Sequence, residues 1–419
     1  MTRTIHAAGG GPAHRATVQT HATHNLSVSG ATVPLPQMAS LRLVEHYVCC
    51  GAGPTLDPAA ASAPDTKWHD LPYKPAVLAE FSAHATTASP PPPHSAVAAF
   101  CLPGGVRITR HAHPVWWPPH FGCFVITQGD GSRLFGHCLT TQVRLPRETQ
   151  VQRPTACTTA DSVTALGGGD ILYAPRCFCL LSRAHHPLAF KACLLAMHDM
   201  ASRSTSAALP LALETCLTHL VLNVPRPVPG GPTVRFALGN GAPPLHVSCA
   251  PPDALPSTEY SMAMLLRHLS PEMLISIFTA LLLERQVVLV SDDDELRLGA
   301  CELLQLLIHP LEWVQVYVPT IPDDLLSKGL LHNPFPCLLG LRAKQRAALP
   351  NPTPEQMVIV DLDTGEIVGP SVPTPAMPPR ESAELLEVVR AERLRLEALE
   401  RNAGQPQRCA TPLHACSAA

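Results

Sequence analysis

The sequence predicts an α/β protein of two lobes, and three stretches carry that prediction. The first is a hairpin. FGCFVITQ from Phe121 and SRLFGHCL from Ser132 alternate with period two and meet across Gly129-Asp130-Gly131, a three-residue glycine-bearing turn that suits a bulged hairpin. The second is a strand–helix–strand run: VVLVS (287–291), an acid-capped helix, and VQVYV (314–318). Its two strands should be parallel and buried on both faces. The third is the break between them, where Pro225, Pro227, Pro229 and Gly230-Gly231 forbid regular structure.

Bulk composition sets the limits. The 419 residues suffice for two or three domains of ordinary size. Hydrophobic residues make up 46% and aromatics only 5%, so the core must be built from Leu, Val, Ala and Ile. A net charge of −3 leaves no electrostatic footprint for nucleic acid or anionic lipid. No stretch approaches about 18 uninterrupted apolar residues, so no transmembrane helix is expected. No basic segment leads into an apolar run, so no secretory signal is expected either. The fifteen cysteines are scattered, and many lie in apolar runs, among them Cys49, Cys50, Cys101, Cys123, Cys193 and Cys301. They read as small buried hydrophobes in a reducing, cytosolic compartment.

In chain order, residues 1–40 hold Arg3 and Arg15, no acid, and much Ala, Thr and His. Transit peptides and disordered arms share that composition, and the arm is the reading adopted. LRLVEHYVCC (41–50) is the first strand, followed by a loop over 55–70 and a short strand over 76–82. Pro90–Pro93 is an extended spacer. AVAAFCL (96–102) reads as a buried strand stopped by Pro103-Gly104-Gly105. After the hairpin, the polar run 142–170 is a surface insertion. RCFCLLS (176–182) is a strand, and PLAFKACLLAMH (187–198) a helix with Pro187 at its first position. LETCLTHLVLNV (213–224) is a connecting helix leading into the proline-rich break.

Beyond it, TEYSMAMLLRHL (258–269) is an amphipathic helix. Ser270-Pro271-Glu272 restarts a helix that runs to Glu284, with Ser at the N-cap and Pro in the first turn. Ser291 is expected to cap the following helix, with Asp292, Asp293, Asp294 and Glu295 complementing its positive end. CLLGL (337–341) and QMVIVDLD (356–363) supply further strands. Leu281, Leu282, Leu283, Val287, Val288, Trp313 and Tyr317 are expected in the core. Residues 382–401 form a charged helix with a stripe of Leu385, Val389, Leu396 and Leu399. That helix reads as a solvated surface, a partner-binding coil or the remnant of a larger helical region.

No catalytic constellation stands out. VVLVSDDD has the look of a Walker B strand, but the phosphate-cradling loop G-x-x-x-x-G-K-[ST] is absent. The acids are better read as a helix cap. Cys177 and Cys179 face one side of a strand, and with His185-His186 they suggest zinc, but the expected spacing of a second ligand pair is missing. His111 and His113 have no evident partner. No G-x-S-x-G elbow occurs, Gly239-Asn240-Gly241 is not followed by a helix, and Asp361 and Asp363 flank a turn. No metal or cofactor is expected.

Several segments in series resemble the DENN family: HYVCCGAGP (46–54), YKPAVLAEF (73–81), AAFCLPGGV (98–106) and FVITQGDGSRLFGHCL (124–139). YAPRCFCLLSRAHHPLAFKACLLAMH (173–198) and NVPRPVPGGPTVRFALGNG (223–241) follow. LRHLSPEMLISIFTALLLERQVVLVS (266–291) is the strongest match, and IHPLEWVQVYVPTIPDDLLS (308–327), PFPCLLGL and VIVDLDTGEI come after it. The resemblance covers roughly residues 41–369 in family order.

It implies a disordered N-terminal arm (1–40), a longin-like upstream DENN lobe (41–222), an interlobe linker (223–244) and a central DENN lobe (245–369). A Pro-rich linker (370–380), a charged C-terminal helix (381–402) and a disordered tail (403–419) complete the chain. The family's helical downstream portion is missing here or reduced to that helix. The resemblance further implies a guanine-nucleotide exchange factor for a Rab-type small GTPase, which grips the nucleotide-free GTPase between two hinged lobes. No catalytic side chain would be needed. Such a protein is cytoplasmic and peripheral on vesicle or endosomal membranes. Asp292, Asp293 and Asp294, at a strand C-terminus where ligands of open α/β sheets lie, are the expected GTPase contacts. Two other functions fit the same fold: a non-exchanging scaffold, and a GTPase-activating protein that lends an arginine such as Arg133, Arg183 or Arg285.

Overall fold

The structure is a computed structural model, and it describes residues 42–59, 71–82, 94–128, 131–145, 150–151, 161–162, 170–202, 211–239, 241–256, 258–368 and 375–404. The predicted arm, the Pro90–Pro93 spacer, most of the 142–170 insertion and nearly all of the predicted tail lie outside the described residues.

The first lobe is built on one antiparallel sheet. Its strands are β1 (His46–Gly51), β2 (Ala76–Ser82), β3 (Thr109–His111), β4 (His120–Thr127), β5 (Arg133–Arg144) and β6 (Ile171–Ser182). They lie in the order β2-β1-β6-β5-β4, with β3 against the start of β6. The predicted hairpin is β4–β5, with Phe121 opposite Leu139 and Thr127 opposite Arg133. At its turn the Gln128 amide donates to the Ser132 carbonyl at 2.8 Å, and Gly131 has φ 81°, a left-handed conformation that favours glycine.

Side chains alternate across this sheet. Val48, Cys50, Phe124, Cys138, Cys177 and Cys179 face helix α1 (His94–Cys101). Tyr47, Cys49, Leu139, Phe178 and Leu180 face the opposite way, toward α2 (Pro187–Ser202) and α3 (Leu211–Leu222). One expectation fails here. Residues 96–102 are mostly helix, not strand: alanine is the best helix former, and a short apolar run does not declare its period. Val97, Ala98 and Cys101 are its buried face. The proline-rich stretch 225–231 forms no helix or strand, as expected, but the predicted linker beyond it contains β7 (Val234–Phe236), which pairs with β8 (Leu245–Val247) and packs Phe236 and Val247 onto the first-lobe core.

The second lobe holds α4 (Ala263–His268), α5 (Pro271–Leu282), β9 (Gln286–Val290), α6 (Asp294–Leu307), β10 (Val316–Val318), β11 (Cys337–Leu341), β12 (Met357–Asp361) and β13 (Glu366–Val368). The sheet runs β10-β11-β9-β12-β13, parallel except for the last strand. The predicted unit β9–α6–β10 is present, and β11 lies between its two strands. Every residue of β9 is buried: Val287 and Leu289 pack toward α4, α5 and α6, while Val288 and Val290 pack on the other face with Ile321 and Leu331. Burial on both faces does not extend to β10, which starts later than expected and exposes Val316 at the sheet edge.

Local chemistry explains the remaining differences. The helix expected from 258 begins at Ala263, because the hydroxyls of Thr258 and Ser261 accept the amides of Tyr260 and Ala263 and hold turns instead. Helix α5 starts as expected, with the Ser270 hydroxyl accepting the Met273 amide at 3.2 Å. It stops at Leu282, just before Glu284 at φ 50°. Leu282, expected in the core, is exposed.

The charged C-terminal helix α7 (Pro379–Gly404) lies on the second lobe. Val389 and Leu396 pack against its core, Arg390 pairs with Glu272 at 2.6 Å, and Arg267 with Glu400 at 2.6 Å. The exposed ion pairs add little each, so Val389 and Leu396 set the docking, while Leu385 and Leu399 of the predicted stripe stay exposed. Among the described residues no helix is long and apolar enough to cross a membrane.

Candidate functional site

The two lobes meet along β4 and β5 on one side and α6 and β10 on the other, and the contact is packed rather than open. Val125 of β4 sits in the core of the second lobe. Arg133, at the start of β5, donates to Gln305 Oε1 and to the Trp313 carbonyl, each at 2.6 Å, and its guanidinium lies 4.9 Å from the centre of the Tyr317 ring. Farther along, Asp323 donates its amide to the Pro103 carbonyl at 2.9 Å, which also accepts from Arg342 at 3.1 Å. The hinged, open cleft expected between lobes is therefore closed along this seam: apolar and hydrogen-bonded groups of both lobes occupy it.

At the C-terminal end of β9 the three predicted aspartates have distinct tasks. Asp292 is exposed; its Oδ1 accepts the Ala343 amide at 3.0 Å and its own amide donates to Asp363. Asp293 is the N-cap of α6, accepting the amides of Glu295 and Leu296 at 2.9 and 3.0 Å. Ser291 was expected in that role. Instead its hydroxyl donates to Asp363 at 2.6 Å and accepts the Asp293 amide at 3.0 Å, because it lies two residues too early to reach the first free amides of α6. Asp361 and Asp363 shape the turn between β12 and β13, as the sequence implied.

Asp294 reaches across the seam. One of its oxygens bonds His120 of β4 at 2.9 Å, and the other pairs with Arg297. Arg297 is fully buried, and it also donates to the carbonyls of Ser291 at 2.7 Å and Pro319 at 3.1 Å and to the Thr320 hydroxyl. Thr320 in turn donates to the Cys123 carbonyl of β4 at 3.3 Å. The hydrogen bonds thus form a closed circuit: from β4 at His120, through the second lobe, back to β4 at Cys123. A buried arginine requires such complete pairing. Burial pushes the Asp294 carboxyl up, but the His120 hydrogen bond and the Arg297 charge outweigh it and hold the group well below the usual range. The same hydrogen bond raises His120.

Sequence reasoning missed Arg297 and His120. One signal was present: an arginine one turn after an acid, within an otherwise apolar helical run. Gly340 was a second, since glycine inside a strand often marks close approach of another chain segment. A Cβ there would sit 1.9 Å from the Pro319 carbonyl oxygen and 2.8 Å from Arg297 Cδ.

Beside the circuit a small, shallow notch is open to solvent. Phe121, Leu188, Tyr260 and Leu298 line it, and Lys191 and Glu295 stand at its edge, 3.6 Å apart. Apolar surface predominates in its lining, with the carboxylates of Glu259, Asp294 and Glu295 beside it, a composition that suits contact with a partner surface. The arginines considered for finger chemistry are engaged elsewhere. Arg133 holds the seam, Arg183 binds Glu45 at 2.8 Å together with Ser132 and Gln128, and Arg285 is half-buried and not free.

Comparisons with known proteins agree with this architecture. A uDENN domain model matches residues 75–141, and a DENN (AEX-3) domain model matches residues 173–365. A curated relative, the DENN domain and WD repeat-containing protein SCD1 of Arabidopsis thaliana, is 29% identical over 346 residues. The match covers 80% of this chain and 27% of that protein, so the chain spans about a quarter of the relative's length. With both domain models in sequence, and a relative that aligns across most of the described residues, the chain belongs to the DENN domain family.

Proposed function

We propose that the chain is a guanine-nucleotide exchange factor for a Rab-type small GTPase. The observation that carries the reading is the welded seam in a chain of this family: two lobes fixed as one platform, with the C-terminal end of a parallel sheet and a part-apolar notch at their junction. Exchange by differential binding needs such a surface and no catalytic side chain. The factor must bind the nucleotide-free GTPase better than the loaded one, and each tenfold acceleration of release requires about 1.4 kcal/mol of that preference. A partner footprint of about 1,600 Å² in total is the usual size for a specific complex. The GTPase then sits over the junction rather than inside an open cleft. Asp292 and Asp293, exposed beside it, and Asp294, fixed by Arg297, are the proposed contacts. DENN modules generally serve Rab proteins, which supports this class of partner and a peripheral place on vesicle or endosomal membranes.

The test is release of labelled GDP from a panel of Rab proteins, with the full chain as the additive. Acceleration of about tenfold or more for at least one Rab is the expected result. Binding of a nucleotide-free Rab with unchanged release rates would reassign the chain as a scaffold. Accelerated GTP hydrolysis would make it an activating protein.

A further inference from the structure

Five cysteines of the first lobe converge on one point. Cys50 of β1 is opposite Cys177 of β6, and Cys179 is opposite Cys138 of β5. Residues opposite one another, and residues two apart, share a face of a sheet. Four thiols from three adjacent strands therefore project to the same side. Cys101, the last residue of α1, lowers a fifth onto them. The sulfurs of Cys101, Cys138 and Cys177 all lie within 4.8 Å of one another, and Cys101 and Cys138 are 3.9 Å apart. Cys179, two residues beyond Cys177 and opposite Cys138, faces the same core.

Cysteines acting only as small hydrophobes have no reason to cluster. Each of the two cores of the second lobe contains a single one, Cys301 and Cys337. The histidines considered from sequence are not involved: His185 stacks on Phe135 and His137, away from the thiols.

We propose that Cys101, Cys138, Cys177 and Cys179 bind a zinc ion that fastens α1 to the centre of the first-lobe sheet. Zinc takes four thiolates tetrahedrally at about 2.3 Å, which places the sulfurs about 3.8 Å apart. The 3.9 Å pair already has that spacing, Cys177 lies within 4.8 Å of both, and Cys179, opposite Cys138 on the same face, would supply the fourth sulfur. Each thiol that binds loses its proton to solvent, and the metal keeps its oxidation state. All four ligands are buried, so the ion enters as the lobe folds.

The test uses the full chain refolded with zinc or with cobalt. About one zinc per chain should survive dialysis against a chelator, and cobalt should give the intense visible bands of a tetrahedral thiolate site. Cys101→Ala and Cys177→Ala should abolish both signals, while Cys301→Ala, outside the cluster, should leave them intact. The wild-type cobalt spectrum decides the matter even if a variant fails to fold. Absence of bound metal in the wild type, retention of the bands in both cluster variants, or stoichiometric copper or an iron–sulfur cluster in place of zinc would overturn the assignment.

Discussion

Replacing Arg133 with alanine tests whether the seam couples the lobes. The guanidinium makes two short hydrogen bonds across it, at 2.6 Å each, and lies over the Tyr317 ring. Hydrogen bonds from a charged donor contribute roughly 1.5–3 kcal/mol each, and a partly exposed cation over an aromatic ring about 0.5 kcal/mol. Arg133 is only half-buried, so the low end applies. The three contacts share one group and do not add independently, which gives a loss of about 3 kcal/mol. Gln305 amplifies the effect, because its Nε2 is already buried without a partner and the variant would strand the whole amide. Guanidinium unfolding followed by tryptophan fluorescence reads the change, since Trp313 is buried beside the contact. Arg133→Lys keeps the charge but cannot fork to two acceptors, so about half the loss should remain. A double-mutant cycle with Gln305→Ala should give a coupling energy of about 1 kcal/mol. If Arg133→Ala costs under about 0.5 kcal/mol, the seam is only a surface contact and the single-platform argument fails.

Other perturbations follow from the same geometry. Asp293→Ala should lower stability by about 1 kcal/mol in denaturant titrations, with Asp293→Ser restoring most of it, because the side chain caps α6. Gly340→Ala should cost about 3 kcal/mol or prevent the second lobe from folding, since the new methyl would meet the Pro319 carbonyl; circular dichroism and denaturation will show which. The folded-state pKa of His120 is raised by its hydrogen bond to Asp294. The stability this contributes is complete below the unfolded value of about 6.5 and disappears as pH rises through the folded value. The NMR midpoint of His120 should therefore lie above 6.5 and fall in Asp294→Asn; an unshifted midpoint in the wild type would disprove the pairing in solution. Leu396→Asp should detach α7, seen as loss of amide-exchange protection over residues 379–404 while β9 and β11 stay protected.

Much of this fold was legible in the chain. Alternation at 121–139, the Ser270-Pro271-Glu272 restart and the apolar run ending at Ser291 each state their structure locally, and each element formed near its predicted bounds. What could not be read was set by distant partners. Residues 96–102 are equally apolar on any period, and only the sheet above them selects helix. Ser291 and Asp293 are both good caps in sequence, and geometry at the end of β9 decides between them. The site was half legible. The acids at 292–294 mark where β9 ends and α6 begins, but Arg297 and His120 acquire their contacts through partners that no local pattern encodes. The closed seam was also hidden, since Val125 and Arg133 look like ordinary hairpin residues until the second lobe packs on them.

The position of β6 has a consequence for how the chain leaves the ribosome. The DENN domain model begins at residue 173, yet β6 spans 171–182 and is the strand that joins β1 to β5 in the first-lobe sheet. Nascent β1 must wait for partners such as Leu181, opposite His46, so the earliest strand stays half-paired until synthesis has passed the domain border. Val125 waits longer still for its neighbours in the second lobe. Pairing over such separations is slow, and exposed strand edges invite aggregation in the interval. Cutting the gene at the domain border would leave that interval permanent, with a sheet missing its middle on one side and an orphaned strand on the other.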